Sequence, residues 1–297
     1  MLARPGLPSF DYIAPATPDE VVQLLQEHRD ALRLMMGGTD LFVRMRQGAI
    51  RPKIVVDVKH LPGMRDIQHD ERAGLTVGAA VTMNEIASHA QVQVHYPLLA
   101  EAAHSVASYQ VRNRATMGGN LCNASPCADT APAVLVLEGD IALYGASGER
   151  AVPAKEFFVG PGSTAIQPDE FVTAIRFPLP PNGSESKYMK LGRNKGGDLA
   201  LVGVAVLGFP DRAAASGYGF RIALGSVAPV PLRVAAAERV LAVRPPDENT
   251  FALAAEKAME AAAPIDDVRA SAAYQKALVR TLTLRGLQKV WGQLCNT

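Results

Sequence analysis

The stretch "LMMGGTDLFVRMRQG", Leu34 to Gly48, sets a pair of glycines between an apolar run and an amphipathic one. The apolar run, which begins near Ala31, has the length of a short buried strand stopped by glycine, and the resumption after Thr39 and Asp40 has helical spacing with Gly48 beyond its end. A strand that ends in Gly-Gly and feeds a capped helix leaves unpaired backbone N–H groups aimed at one place, with the positive end of the helix dipole behind them. Such a place attracts phosphate. Glycine suits it because a Cβ would hold the backbone away from the oxygens and because the turn can demand a positive φ. For one such pair, a tight turn with nothing bound is the competing reading. "TMGGN", Thr116 to Asn120, repeats the chemistry with a hydroxyl, two bare backbone units and an amide. Two such loops can clamp the two halves of one pyrophosphate, the linkage of a dinucleotide. Neither pair is followed by the lysine and Ser/Thr of a P-loop and neither extends to GxGxxG, so Rossmann winding is not indicated. Asp129, in "CADTAP", falls at a helix start, where its carboxylate either caps the helix or accepts hydrogen bonds from ribose or adenine.

Around these loops the chain reads as two blocks. Thr17 is placed to cap a helix opening at Pro18, with Val21, Val22, Leu24 and Leu25 on its inner face, and "KIVVDV" from Lys53 is a strand. "LTVGAAVTMNEIASHA" from Leu75 is a strand running into a helix capped near Thr82, "YPLLAEAAHSVAS" is another helix, and an apolar helix and a strand follow "CADTAP". "DEFVTAIRFPLPPNGSES" ends a strand in a Pro, Gly and Ser cluster without an apolar face, which places a domain boundary near Pro180 to Ser186. Beyond it, "KYMKLG", "LALVGVAVLGF" and "FRIALGSVAP" are strands of one sheet, and "RVAAAERVLAV", "TFALAAEKAMEAAA" and "AAYQKALVRTLTLRGLQKVW" are helices. Strands followed by helices make an α+β unit rather than βαβ winding.

Composition narrows the function. With 48% hydrophobic and 20% charged residues the 297-residue chain can build cores for two domains, and a net charge of +1 gives no field to draw it to nucleic acid or anionic lipid. The opening "MLARPGLPSFDYIAPATP" has prolines where a signal peptide needs an apolar core, no later stretch has the roughly 20 apolar residues of a membrane span, and a cytoplasmic location is expected. Three cysteines, Cys122, Cys127 and Cys295, suit a reducing compartment and are too few to hold an iron–sulfur cluster, which usually takes four thiolates. The histidines at 28, 60, 69, 89, 95 and 104 form no i, i+4 pair and no ligand box, so no metal site is expected.

The segments "MMGGTDL", "ATMGGNLCNASPCADTAP" and "GRNKGGDLALVGVAV" resemble, in order and spacing, three stretches of the FAD-binding, or medium, subunits of molybdenum hydroxylases, the family of xanthine dehydrogenase and carbon monoxide dehydrogenase. The resemblance spans nearly the whole chain. It implies an α+β fold with an FAD-binding domain of the vanillyl-alcohol oxidase (PCMH) type over residues 1–180, in two lobes of about 1–60 and 61–180, and a smaller domain of antiparallel sheet and helices over 187–292. FAD is then the only cofactor on this chain, since the extra cysteine loop that holds a four-iron cluster in some members is absent. By position, Leu34, Met35, Met36, Gly37, Gly38, Thr39, Asp40 and Leu41 wrap its pyrophosphate, Thr116, Met117, Gly118, Gly119 and Asn120 complete the cradle, and Asp129 holds the adenosine side. Val106 packs against the cofactor, Val172 meets the flavin from a strand, and Lys190 reaches it; ordinary strand core for Val172 and a solvated lysine at 190 are the plain alternatives. Cys122 and Cys127 depart from the plainest form of the motif, and act either as small buried hydrophobes or as oxidisable groups near a flavin. The implied role is electron transfer from a small two-iron, two-sulfur subunit to a terminal acceptor, in a dimer of heterotrimers whose large molybdenum-cofactor subunit hydroxylates the substrate. A stand-alone flavoenzyme of the same fold, with Tyr188 or Asp198 as its acid/base group, and a nucleotide-binding assembly module without turnover are the rival readings.

Overall fold

The computed structural model describes residues 6–194 and 197–296. The first five residues of the opening stretch, and Lys195 and Gly196 of "GRNKGGDLALVGVAV", lie outside the described residues. Strand Asp11–Ile13 (β1), helix Pro18–His28 (α1), strand Leu32–Met35 (β2), helix Leu41–Arg46 (α2) and strand Ile54–Asp57 (β3) come first. β3 lies between β1 and β2 and runs parallel to both. Its residues are buried on both faces, Ile54 and Val56 in the main core and Val55 with Met35 and Met45 in a smaller one, as a parallel central strand requires. Thr17 caps α1 by accepting the Glu20 amide, and Val21, Val22 and Leu25 are buried while Leu24 is half-buried.

Next come strands Ile67–Asp70 (β4) and Gly74–Gly78 (β5), then helices Met83–Ser88 (α3), Ala90–His95 (α4), Pro97–Ser105 (α5), Tyr109–Arg112 (α6), Met117–Cys122 (α7) and Thr130–Val136 (α8). Strands Asp140–Gly145 (β6) and Gly148–Pro153 (β7), helix Ala154–Phe157 (α9), and strands Phe158–Gly160 (β8), Ser163–Thr164 (β9) and Phe171–Phe177 (β10) follow. β10 is the middle strand of an antiparallel sheet ordered β4-β5-β10-β6-β7, and its register against β6 shifts between Val172 and Ala174. Such a bulge re-aims neighbouring side chains, and Val172 stands at it. Thr82 caps α3 in a reciprocal capping box with Glu85.

The last part holds an antiparallel sheet of Glu185–Leu191 (β11), Val202–Pro210 (β12), Tyr218–Gly225 (β13) and Leu232–Arg233 (β14), then helices Ala235–Val243 (α10), Glu248–Ala261 (α11) and Ala272–Leu294 (α12). Val202, Val204 and Val206 face the helices, in one core with Phe220, Ile222, Val279 and Leu287. Ala205, Leu207, Ala223 and Tyr188 join the main core on the other face, with residues of α5 and α8. Burial on both faces explains why "LALVGVAVLGF" lacks the polar alternation of a half-exposed strand. Glu138, just after α8, ties the two parts with ion pairs to Arg221 (2.8 Å) and Arg233 (3.2 Å). No helix among the described residues is long and apolar enough to cross a membrane.

Candidate functional site

β2 is an edge strand, so the chain that leaves it carries amides with no neighbouring strand to receive them. Among the described residues, none of the backbone amides from Met36 through Asp40 has a protein acceptor, whereas the carbonyls of Gly38 and Asp40 already accept the Phe42 and Arg44 amides that start α2. Gly38 adopts φ +73°, a conformation that disfavours any side chain. Gly37 lies against the backbone of the second loop: a Cβ there would stand 2.0 Å from the Arg114 carbonyl oxygen. The two glycine loops are therefore in contact.

The second loop differs from the first. Its glycines lie inside α7 rather than ahead of a helix, and its amides are engaged: Met117 with Val81 O (3.1 Å), Gly118 with Ala79 O (2.9 Å) and Gly119 with Thr116 Oγ1 (3.2 Å). Gly118 is buried where a Cβ would be 2.6 Å from that of Ala79, so its bareness serves close packing. Gly119 is on the other side of the same turn, and a Cβ there would meet only the Thr116 hydroxyl, at 2.8 Å.

These loops wall a cavity of about 500 Å³. Of the residues singled out in the sequence, Leu34 to Leu41, Val106, Thr116, Gly119, Asn120, Asp129 and Val172 line it. Met117, Gly118 and Lys190 are not among its walls, the first two because a helical turn of two faces gives one of them to the core. Lys190 reaches the cavity indirectly: its Nζ donates to Asp129 Oδ2 (2.7 Å) and to the Ser105 carbonyl (2.8 Å). It is not solvated, with a side chain only 15% exposed.

Asp129 occupies the N-cap position of α8 but its side chain makes no capping bond. Oδ1 instead accepts the Tyr188 hydroxyl (3.1 Å) and Oδ2 the Lys190 ammonium. Burial drives its carboxyl above the usual range, and the opposing pull of Lys190 and the Tyr188 hydrogen bond does not cancel that. Burial and the neighbouring Asp129 likewise raise the Tyr188 phenol well beyond its ordinary value, leaving it a donor at any working pH. Of the rival acid/base candidates, Tyr188 is thus committed to Asp129, and Asp198 lines the cavity with its carboxylate held low by Arg193.

Several walls carry no local signal in the sequence. Glu170 lines the cavity clamped by Arg150 through two bonds of 2.6 and 2.7 Å, a pairing from β7 to the residue before β10, across the intervening β6, that no local spacing announces. Phe171, beside Val172 and 1% exposed, was hidden by its similarity to any strand aromatic. Cys122 and Cys127 both line the cavity. Burial pushes the Cys122 thiol up to about 12, so it behaves as a small inert hydrophobe. Cys127 Sγ receives a guanidinium bond from Arg269 (3.2 Å), itself held by Asp267 (2.6 Å).

Fold and cavity together define an α+β nucleotide-site protein with an appended domain of sheet and helices. Residues 8–180 match the family described as the FAD binding domain in molybdopterin dehydrogenase, and residues 187–290 match the CO dehydrogenase flavoprotein C-terminal domain. The carbon monoxide dehydrogenase medium chain of Hydrogenophaga pseudoflava is 33% identical over 96% of this chain and 98% of its own length. The putative xanthine dehydrogenase FAD-binding subunit of Escherichia coli K12 is 31% identical over 92% of both. Among solved structures, a chain of the Hydrogenophaga pseudoflava carbon monoxide dehydrogenase superposes with a TM-score of 0.92, at 33% identity, over 97% of this chain and 99% of that one. A chain of quinoline 2-oxidoreductase from Pseudomonas putida gives 0.90 at 29% identity, over 98% and 100%. The chain belongs to the FAD-binding subunits of the xanthine dehydrogenase family of molybdenum hydroxylases, an oxidoreductase family whose cofactor on this subunit is FAD. The residues fit that cofactor, since a turn whose amides have no protein acceptor among the described residues lines the cavity, as a diphosphate needs.

Proposed function

We propose that this chain is the electron outlet of a molybdenum hydroxylase, holding FAD in the cavity between its two glycine loops. One observation carries the reading: Met36 through Asp40, whose amides have no protein acceptor among the described residues, line a cavity whose other walls include Gly119 and Asp129. Those amides would bind the pyrophosphate from one side, and Thr116, Gly119 and Asn120 would close on it from the other. Asp129 would anchor the adenosine or ribityl hydroxyls, oriented by Lys190 and Tyr188. Val106, Phe171 and Val172 would exclude water from the ring, with Met117 and Gly118 supporting the turn from the core. Bound FAD supplies an exchange between one-electron and two-electron steps, while the protein supplies position and electrostatics.

On this reading residues 1–180 form the FAD domain and 187–292 the second domain, which covers one side of the cavity through Gly197, Asp198 and Leu199. Electrons come from an iron–sulfur small subunit, the large molybdenum subunit acts on the substrate, and a terminal acceptor takes the pair; the assembly is a cytoplasmic dimer of heterotrimers. Co-purification from the native source with an absorption spectrum and metal analysis tests this. The expected result is one FAD per copy of this chain, with iron and molybdenum on the partners. An isolated chain that hydroxylates a heterocycle or aldehyde by itself would refute the assignment.

A further inference from the structure

The second glycine loop has no backbone donor left for a ligand. Besides the amides of Met117, Gly118 and Gly119, that of Asn120 is also engaged, with Thr116 O at 3.0 Å. What this loop can offer an anion comes from side chains, and Asn120 lines the cavity. A carboxamide has an accepting end and a donating end, and the end turned to the cavity decides whether it attracts or repels a diphosphate. Thr130, the first residue of α8, settles that orientation. It is fully buried, and its Oγ1 stands 2.6 Å from Asn120 Oδ1, the only hydrogen bond this hydroxyl makes among the described residues. A carbonyl oxygen only accepts, so the hydroxyl donates. With the amide turned over, the Thr130 proton would face Nδ2 and be left without an acceptor in the protein interior, a larger loss than an ordinary hydrogen bond gains. Asn120 Nδ2, by contrast, has no protein partner among the described residues.

We propose that Thr130 is a positioning residue that fixes the sense of the Asn120 amide, so that the N–H groups of Asn120 Nδ2 are presented to the diphosphate of the bound cofactor. This rests on the reading of the cavity as an FAD site and adds a division of labour to it. The first loop binds the anion through backbone amides, and the second through one side chain whose direction is set by a buried hydroxyl. Thr130 is not itself a wall of the cavity, so it acts on the ligand only through Asn120. An amide free to turn over would spend part of its time with its oxygen toward the phosphate oxygens; the bond to Thr130 removes that state before the ligand arrives.

Thr130→Val removes the hydroxyl at nearly constant shape, and a double-mutant cycle with Asn120→Ala separates positioning from scaffold. The full-length chain, freed of cofactor, would be titrated with FAD by flavin fluorescence, with urea midpoints measured alongside. The expected result for Thr130→Val is an FAD affinity about fivefold lower, the worth of one hydrogen bond of ordinary strength. Thr130→Ser keeps the hydroxyl and should restore wild-type affinity. In the Asn120→Ala background Thr130→Val should cost no further affinity, whatever it does to the midpoint. Wild-type affinity in Thr130→Val, or the same loss with and without the Asn120 amide, overturns the proposal. Should Thr130→Val fail to fold, Thr130→Ala enters the same cycle and is judged by the same outcomes. A wild-type chain that binds no FAD refutes the cofactor reading instead, so the two failures are distinguishable.

Discussion

Replacing Gly37 by alanine tests the junction on which the cavity depends. The added methyl would lie 2.0 Å from the Arg114 carbonyl oxygen and 3.1 Å from Ala115 Cα, where ordinary contact begins at 3.4 Å, so the loops must part by about 1.4 Å. Both atoms are backbone, and no side chain can swing away to absorb the overlap. Overpacking of this kind costs about 1–3 kcal/mol, and the rigid neighbour puts Gly37→Ala toward the upper end. If FAD binds only when the loops touch, the same energy appears as a loss of affinity of about 5- to 150-fold. Gly292→Ala is the control. It lies on α12 with no neighbouring heavy atom within 4 Å of the new methyl, so it should gain up to about 1 kcal/mol from helix propensity. Urea midpoints and fluorescence titration with FAD read both quantities. A Gly37→Ala protein with the wild-type midpoint and wild-type FAD affinity would refute the contact between the loops as the source of the site.

Three further outcomes are expected. Gly119→Val should fold with a normal second domain yet purify without flavin, because its side chain enters the cavity and meets only Thr116 Oγ1; stoichiometric flavin in that variant would count against the cradle. Asp57 is pushed up by burial but pulled further down by hydrogen bonds from Lys59 and Tyr12, so its carboxyl ends below its usual range. A depressed carboxylate adds stability that is full above its unfolded value of about 3.9 and is lost as pH falls through the lower folded one; Asp57→Asn should therefore flatten the acid limb of a urea-midpoint profile, and an unchanged limb would exclude Asp57 as its cause. With iodoacetamide at neutral pH, exposed Cys295 should react first and Cys122, whose thiol is held near 12 by burial, last; mass spectrometry of early labelling that shows Cys122 ahead of Cys295 would contradict that order.

How much of this was legible in the residues depended on the range of the forces involved. Local chemistry was readable: Thr17 and Thr82 cap the helices their side chains predict, and Gly48 sits at φ +72° just past α2. The apolar runs of β3 and β12 were readable as strands, and their burial on both faces came only with the packing around them. Pairings across the fold were not readable, because nothing near Asp129 in the chain names Tyr188 or Lys190 as its partners. Spacing alone left Asp129 between helix cap and ligand contact, and the structure excludes the cap. The same limit hid Glu170 with Arg150 and Cys127 with Arg269, contacts set by sheet register and domain packing.

The two glycine pairs look alike as strings and act differently as matter. At Gly37 and Gly38 the chain leaves an edge strand, so its donors stay free for an anion. At Gly118 and Gly119 the donors are spent inside the protein, and what the missing side chains provide is thinness: one glycine lets α7 settle on Ala79, the other leaves the cavity open. Because Gly37 rests on the Arg114–Ala115 backbone and Met83 N binds the Ala115 carbonyl (2.9 Å), a displacement at either pair is passed to the other through backbone alone. Gly37→Ala and Gly118→Ala should then be strongly non-additive, since both displace the short Arg114–Gly118 segment, the first by a clash with Arg114 and the second by a clash with Ala79. Independent loops would instead give stability changes that sum to within about 0.5 kcal/mol.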